Sequence, residues 1–184
     1  MGRILFTSDL HFGHKNVIKY DKRPFENIQE MDEEIIKRWN KKVNKDDIIY
    51  ILGDISWYKD EKTAELLSRL NGKIILVKGN HDKIGPLTRR YISQIYDYLE
   101  INVDDKRVVL SHYPIHFFNH HHHNAIMLHG HVHNSKEAEY VLKYRDFLRS
   151  EGLVCNLYNV GCMEWNYEPV TLEEILDTDS EKTL

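Results

Sequence analysis

The chain has 184 residues, of which 41% are hydrophobic and 29% charged, the make-up of a soluble globular domain with a full core. Its formal charge of -4 gives no basic footprint for tight nucleic-acid binding, while leaving a nucleotide or short nucleic acid open as substrate. Two cysteines, Cys155 and Cys162, exclude a disulfide framework and a CxxC metal motif, so both read as reduced thiols. The N-terminus reaches Asp9 before a signal-peptide apolar run can develop, and no stretch has transmembrane length. One cytoplasmic domain over residues 1–184, without a membrane partner, is the expectation.

Residues 3–8 read as a buried first strand. Residues 30–43 place Met31, Ile35, Trp39 and Val43 at helical spacing, and residues 47–52 form an apolar β-rich run that ends at Gly53. A helix is expected over 61–70, stopped by Asn71-Gly72, and a third buried strand over 73–78. Apolar strands alternating with helices argue for parallel βαβ units. A further helix is expected around 86–96. Residues 98–103 and 107–111 flank the turn signal Asp104-Asp105 and predict an antiparallel hairpin. Short strands follow at 125–129 and 154–160, and residues 136–150, polar with weak helical periodicity, read as a surface excursion. Thr171, with Glu174 three residues on, predicts a capped closing helix over 171–176.

Seven potential metal ligands fall in five short clusters, most of them at strand ends: Asp9, His11, Asp54, Asn80, His112, His131 and His133. Ligands in open α/β sheets bind beyond the carboxyl ends of strands, so these side chains converge where a site belongs. A mixed Asp, Asn and His set suits hard or borderline divalent ions rather than thiolate zinc. Asp54 lies mid-series and is the best bridge between two ions. Such a pair supplies a bridging hydroxide and neutralises the phosphoryl oxygens of an in-line displacement. His81 follows the ligand-type Asn80 and can protonate a leaving oxygen, with Asp82 orienting its ring.

These motifs in order, Asp-x-His, Gly-Asp, Gly-Asn-His-Asp, Ser-His-Tyr-Pro and Gly-His-x-His, resemble the calcineurin-like metallophosphoesterase superfamily. Residues 7–20, with Arg23-Pro24-Phe25 and Trp39-Asn40, resemble its compact bacterial and phage branch. The resemblance implies a four-layer αββα sandwich with a dinuclear site at strand carboxyl ends. It implies that Asp9, His11, Asp54 and His133 hold one ion, that Asp54, Asn80, His112 and His131 hold the other, and that His81 is the general acid. The family's protein Ser/Thr phosphatases carry an Arg shortly after Gly-Asp, whereas this chain has Gly53-Asp54-Ile55-Ser56-Trp57-Tyr58, which argues against that subclass. Manganese is the first expectation for the two divalent ions, with iron, zinc, nickel or magnesium as alternatives. The expected substrate is a small phosphomonoester or phosphodiester, a nucleotide among the options. A non-catalytic scaffold for a protein partner and a nuclease or end-trimming phosphatase are the competing readings.

Several residues nearby carry weaker signals. His14, Asn16 and Arg23 are candidates for holding a phosphate oxygen. His129 alternates with His131 and His133, which suggests a supporting position on their face. Trp57, Tyr58, Trp165 and Tyr167 either stack on an aromatic substrate or cover core edges, and covering is the commoner use. The run His120 to His123 reads as a polar loop near the site.

Overall fold

The structure, a computed structural model, describes residues 2–181, so Met1 and residues 182–184 of the expected domain lie outside the described residues. Strands β1 (Ile4–Thr7), β2 (Ile48–Ile51) and β3 (Lys73–Val77) lie parallel, with Ile4 opposite Ile48 and Ile49 opposite Ile74. Successive side chains leave a strand on opposite faces, and here both faces are apolar. Leu5, Ile49, Ile51, Ile74 and Leu76 pack with Met31, Ile35, Ile36 and Trp39 of helix α2 (Ile28–Lys42) and with Leu66 and Leu67 of helix α3 (Asp60–Ser68). A short helix α1 (Lys15–Tyr20) precedes α2 in the chain. Asn27 caps α2 by accepting the Glu30 amide at 2.9 Å. Trp39 is fully buried, and its indole N–H donates to the Asn71 carbonyl at 3.0 Å, so a large apolar ring enters the core without stranding its donor.

The opposite face carries Phe6, Tyr50, Leu52, Ile75 and Val77, which meet a second sheet. That sheet runs β5 (Tyr98–Val103), β6 (Lys106–Ser111), β7 (Ile126–His129) and β8 (Leu157–Asn159) in order. The expected hairpin is present: β5 and β6 pair antiparallel, and Asp104 and Asp105 carry φ of 47° and 62°, the positive values that a tight two-residue turn requires. β7 and β8 then add in parallel. Val108, Leu110, Ile126 and Leu128 face the first sheet, while Val109, Met127 and Leu157 pack outward with Leu148 of helix α4 (Lys136–Ser150). The layers are thus helix, sheet, sheet, helix. Helix α5 (Leu172–Glu181) closes the inter-sheet core with Leu172 and Ile175. Its expected capping box forms, with the Thr171 amide donating to Glu174 at 2.8 Å and the Glu174 amide to Thr171 Oγ1 at 3.3 Å.

Two expectations fail for identifiable reasons. The helix expected over 86–96 is a 3-10 turn at Thr88–Tyr91 followed by strand β4 (Ile92–Tyr96), parallel to β3. The ladder skips Ser93, pairing Ile74 with Ile92 and Ile75 with Gln94. That bulge puts Ile92 and Ile95 on the same helix-covered face at a spacing of three, which imitates a helical period. The surface excursion expected over 136–150 is the 15-residue helix α4, capped by Ser135. Leu148 is its one buried residue, whereas Tyr140, Leu142, Tyr144 and Phe147 stay exposed, so its apolar residues mark no core-facing stripe.

Candidate metal centre

Asp9 and His11 follow β1, Asp54 follows β2, Asn80 follows β3, His112 follows β6, and His131 and His133 follow β7. The strand ends of both sheets meet here: Asp9 donates its amide to the Gly53 carbonyl at 3.0 Å, and His112 Nδ1 lies 2.7 Å from the Leu52 carbonyl. The backbone turns sharply at most of these positions. Asp9, His11, Asp54, His131 and His133 all have left-handed φ, between 49° and 72°. A side chain there carries strain, which native structures retain mainly at functional sites. Two glycines make the approach close enough. A Cβ on Gly53 (φ 91°) would lie 2.4 Å from His112 Nδ1, and one on Gly130 would lie 1.8 Å from Ser8 Oγ.

The ligand atoms form two overlapping groups within 4.8 Å: Asp9, His11 and His133, and Asp9, Asp54 and His112. Asp54 Oδ2 stands 3.6 Å from Nε2 of His11 and equally 3.6 Å from Nε2 of His112. Asp54 Oδ1 is turned away, accepting the His81 amide at 3.0 Å. Asp9 Oδ2 accepts Ser8 Oγ at 2.6 Å and the His131 amide at 3.0 Å, while its Oδ1 faces His133 Nε2 at 3.5 Å. Asn80 Oδ1 and His131 Nδ1 approach His112 Nε2 at 2.9 and 3.2 Å. Both carboxylates are buried. Burial drives the Asp9 carboxyl upward and the His11 and His131 imidazoles downward from their ordinary values, so desolvation disfavours the charged form of all three.

Carboxylate, amide and imidazole acceptors crowded this way fit a divalent cation, because almost nothing among them donates. The surrounding hydrogen bonds prepare the ligands. The Leu52 carbonyl holds the proton on His112 Nδ1 and leaves Nε2 free. Asp21 does the same for His133, accepting from its Nδ1 at 2.9 Å. Burial opposes a charge on His133, but the Asp21 hydrogen bond and Asp9 outweigh it, and its pKa rises. His11 differs: its Nδ1 accepts the Trp57 indole N–H at 3.0 Å, so its proton sits on Nε2, 3.2 Å from His133 Nε2. A cation at His11 Nε2 requires that proton to leave.

Other expected site residues sit differently. Arg23 is buried, and all five of its N–H groups are committed: to Asp21, to the carbonyls of Asp9 and Leu10, and to Met31 Sδ. It clasps the first ligand loop and has no donor for a phosphate. Asp82 does not orient the His81 ring. Its oxygens accept the amides of Asp54, Ile55 and Gly79 at 2.8–2.9 Å and so tie the β2 and β3 exits together. His81 is exposed at the rim, its ring 4.8 Å from Trp57 and 6.0 Å from His11. His14 is brought to the same rim, stacked on Trp57 at 4.2 Å, with a buried Nδ1 that has no hydrogen-bond partner among the described residues. Asn16 is exposed on the first turn of α1, with no hydrogen bond to the cluster among the described residues. His129 is buried, bonds the Gly130 carbonyl at 2.9 Å, and lines a cavity of about 600 Å³ beside α4 instead of joining the ligands. Burial lowers its pKa to about 4. The His120 to His123 rings contact one another and join neither ligand group. Trp165 donates to the Asn159 carbonyl, and Tyr167 is buried beside Arg23, so both serve the core. Both cysteines are free and buried. Asp21 escaped the sequence reading. The signal available was a carboxylate shortly after the first ligand pair and two residues before a buried arginine.

A cluster of Asp and His side chains that could hold a cation thus lies at the shared strand-end edge of two stacked sheets. The chain belongs to the calcineurin-like phosphoesterase family, which matches residues 2–152. It is 37% identical over 178 residues to an uncharacterized protein, MJ1445, of Methanocaldococcus jannaschii, covering 96% of this chain and 90% of that protein. It is 36% identical over 92 residues to the gene 66 protein of Mycobacterium phage L5, covering 48% of this chain and 44% of that protein. A crystal structure of AQ665, a protein of unknown function from Aquifex aeolicus, superposes with a TM-score of 0.75 at 28% identity, over 97% of this chain and all of that one. Family membership supports a hydrolase. Together with the Asp and His cluster, it points to divalent metal binding. No helix among the described residues is long and apolar enough to cross a membrane.

Proposed function

We propose that this chain acts as a single cytoplasmic domain that hydrolyses small phosphoesters, nucleotides among them, with two divalent cations, manganese first. The observation that supports this reading is Asp54 Oδ2, set 3.6 Å from Nε2 of both His11 and His112, where one carboxylate oxygen would be shared between two cations. Asp9, His11, Asp54 and His133 would hold one cation, and Asp54, Asn80, His112 and His131 the other. When bound, such a pair lowers the pKa of a water and neutralises charge on the phosphoryl oxygens.

The chain's own groups do the rest. The His81 amide fixes Asp54 Oδ1, which leaves Oδ2 directed at the histidines. Asp21 and the Leu52 carbonyl lock His133 and His112 in the tautomers that expose Nε2. His81, exposed at the rim, protonates the leaving oxygen. His14 faces incoming substrate at the same rim.

The test is turnover of an aryl phosphomonoester and the matching diester after chelation and reconstitution with manganese, iron, zinc, nickel or magnesium. Activity should vanish with the chelator and return with metal, and Asp54→Ala should lose both metal content and turnover. Chelator-resistant hydrolysis, or full activity in Asp54→Ala, would sink the reading.

A further inference from the structure

Trp57 lies three residues beyond Asp54 in the loop between β2 and α3, and it is 49% exposed. Its indole stacks on His14 (centroids 4.2 Å apart, planes 18° apart) and contacts His81 on a tilt (4.8 Å, 38°). Its N–H points to His11 Nδ1. We propose that Trp57 is a positioning residue for His81, holding the exposed imidazole against the indole and over the metal cluster. This inference rests on His81 being the proton donor of the proposed hydrolysis.

His81 is fixed through its backbone, since its amide donates to Asp54. No hydrogen bond to its ring is found among the described residues, so ring contacts set where the imidazole points. Aromatic pairs at these separations favour defined offset or tilted geometries, which limits the ring's rotation. In the step itself a water oxygen forms a new bond to phosphorus and gives up a proton to solvent, the bond to the leaving oxygen breaks with its electron pair going to that oxygen, and the leaving oxygen takes a ring proton from His81, which is left neutral. A misaligned donor matters most for leaving groups too basic to depart unprotonated. The tilted ring contact with His81, rather than the indole N–H, carries the role. A cation on His11 Nε2 moves the ring proton to Nδ1, and Nδ1 then no longer accepts from Trp57.

The experiment compares Trp57→Ala, Trp57→Phe and His81→Gln on an alkyl and a nitrophenyl phosphoester, with metal content measured for each. Imidazole C–H resonances are also followed in the metal-free protein, with His81→Gln supplying the assignment. Trp57→Ala should lose about tenfold or more in kcat on the alkyl ester and far less on the nitrophenyl ester, following His81→Gln in direction. Its His81 resonances should move away from their ring-current-shifted positions. Trp57→Phe keeps a ring, and should keep metal content and most of the alkyl-ester activity. Equal losses on both esters, unmoved His81 resonances, or metal loss in Trp57→Phe would overturn the role of Trp57. If His81→Gln itself shows no leaving-group dependence, the acid role falls and takes this inference with it. Selective loss in His81→Gln beside an unaffected Trp57→Ala removes Trp57 alone.

Discussion

Asp32 sits on α2, outside the ligand cluster, yet reaches the same loop. Its Oδ1 accepts the Gly13 amide at 3.1 Å, two residues beyond His11. Burial pushes its pKa up to about 6, against the opposing Gly13 and Tyr58 hydrogen bonds. An acid whose folded pKa is raised binds its proton more tightly when folded, so the stabilisation is complete below the unfolded pKa and fades as pH rises through the folded one. The span from about pH 4 to 6 corresponds to about 3 kcal/mol. Urea unfolding of the metal-free protein should show stability falling across that window, and Asp32→Asn should flatten the slope. An unchanged slope in the variant would assign the titration elsewhere. At this scale the sequence was readable where chemistry alone selects the residue: the seven candidate ligands all follow strands that end at one edge. It was misleading where charge was taken for function. Arg23 and Asp82 lie close to ligands in the chain, and both turned out to satisfy buried backbone groups, which nothing in their spacing records.

Between β1 and α2 the chain makes a loop, a short helix and a return, and Arg23 holds them together. Its guanidinium binds the carbonyls of Asp9 and Leu10 and the Asp21 carboxylate, which in turn holds His133. Removing it takes the donors from two buried carbonyls and leaves the buried Asp21 carboxylate with His133 as its remaining charged partner. Arg23→Met should therefore cost about 3–5 kcal/mol in chemical denaturation. It should also weaken metal binding, since both ends of the clasp support ligands. A loss under about 1 kcal/mol would mean that water replaces the guanidinium. Elements were legible in proportion to their burial. β1, β2 and β3 are apolar on both faces and announce themselves, whereas α4 buries so little that its period was masked. β4 was misread because a bulge gave a strand the spacing of a helix.

Across the whole molecule, one sheet supplies Asp9, His11, Asp54 and Asn80, and the other supplies His112, His131 and His133. These side chains thus span the seam between the layers, and cations held there would add cross-links to the apolar packing and the hydrogen bonds that already join the sheets. If metal binds this folded arrangement, saturation at about 100 times Kd should add about 2.7 kcal/mol. For a chain of this size that raises Tm by about 5–10 °C in a thermal scan with and without metal. A Tm indifferent to metal would show that the cations do not bridge the sheets. The parallel βαβ units were readable from the alternation of strands and helices and the layer order from the family resemblance, while the meeting of two sets of strand ends lies in tertiary packing. The left-handed turns at Asp9, His11, Asp54, His131 and His133 carry a last consequence, for how such a site evolves. Aspartate, asparagine and histidine are the side chains that tolerate this backbone best, while β-branched residues and most others are penalised. Drift at these positions is biased toward aspartate, asparagine and histidine, and so toward oxygen and nitrogen donors rather than thiolate.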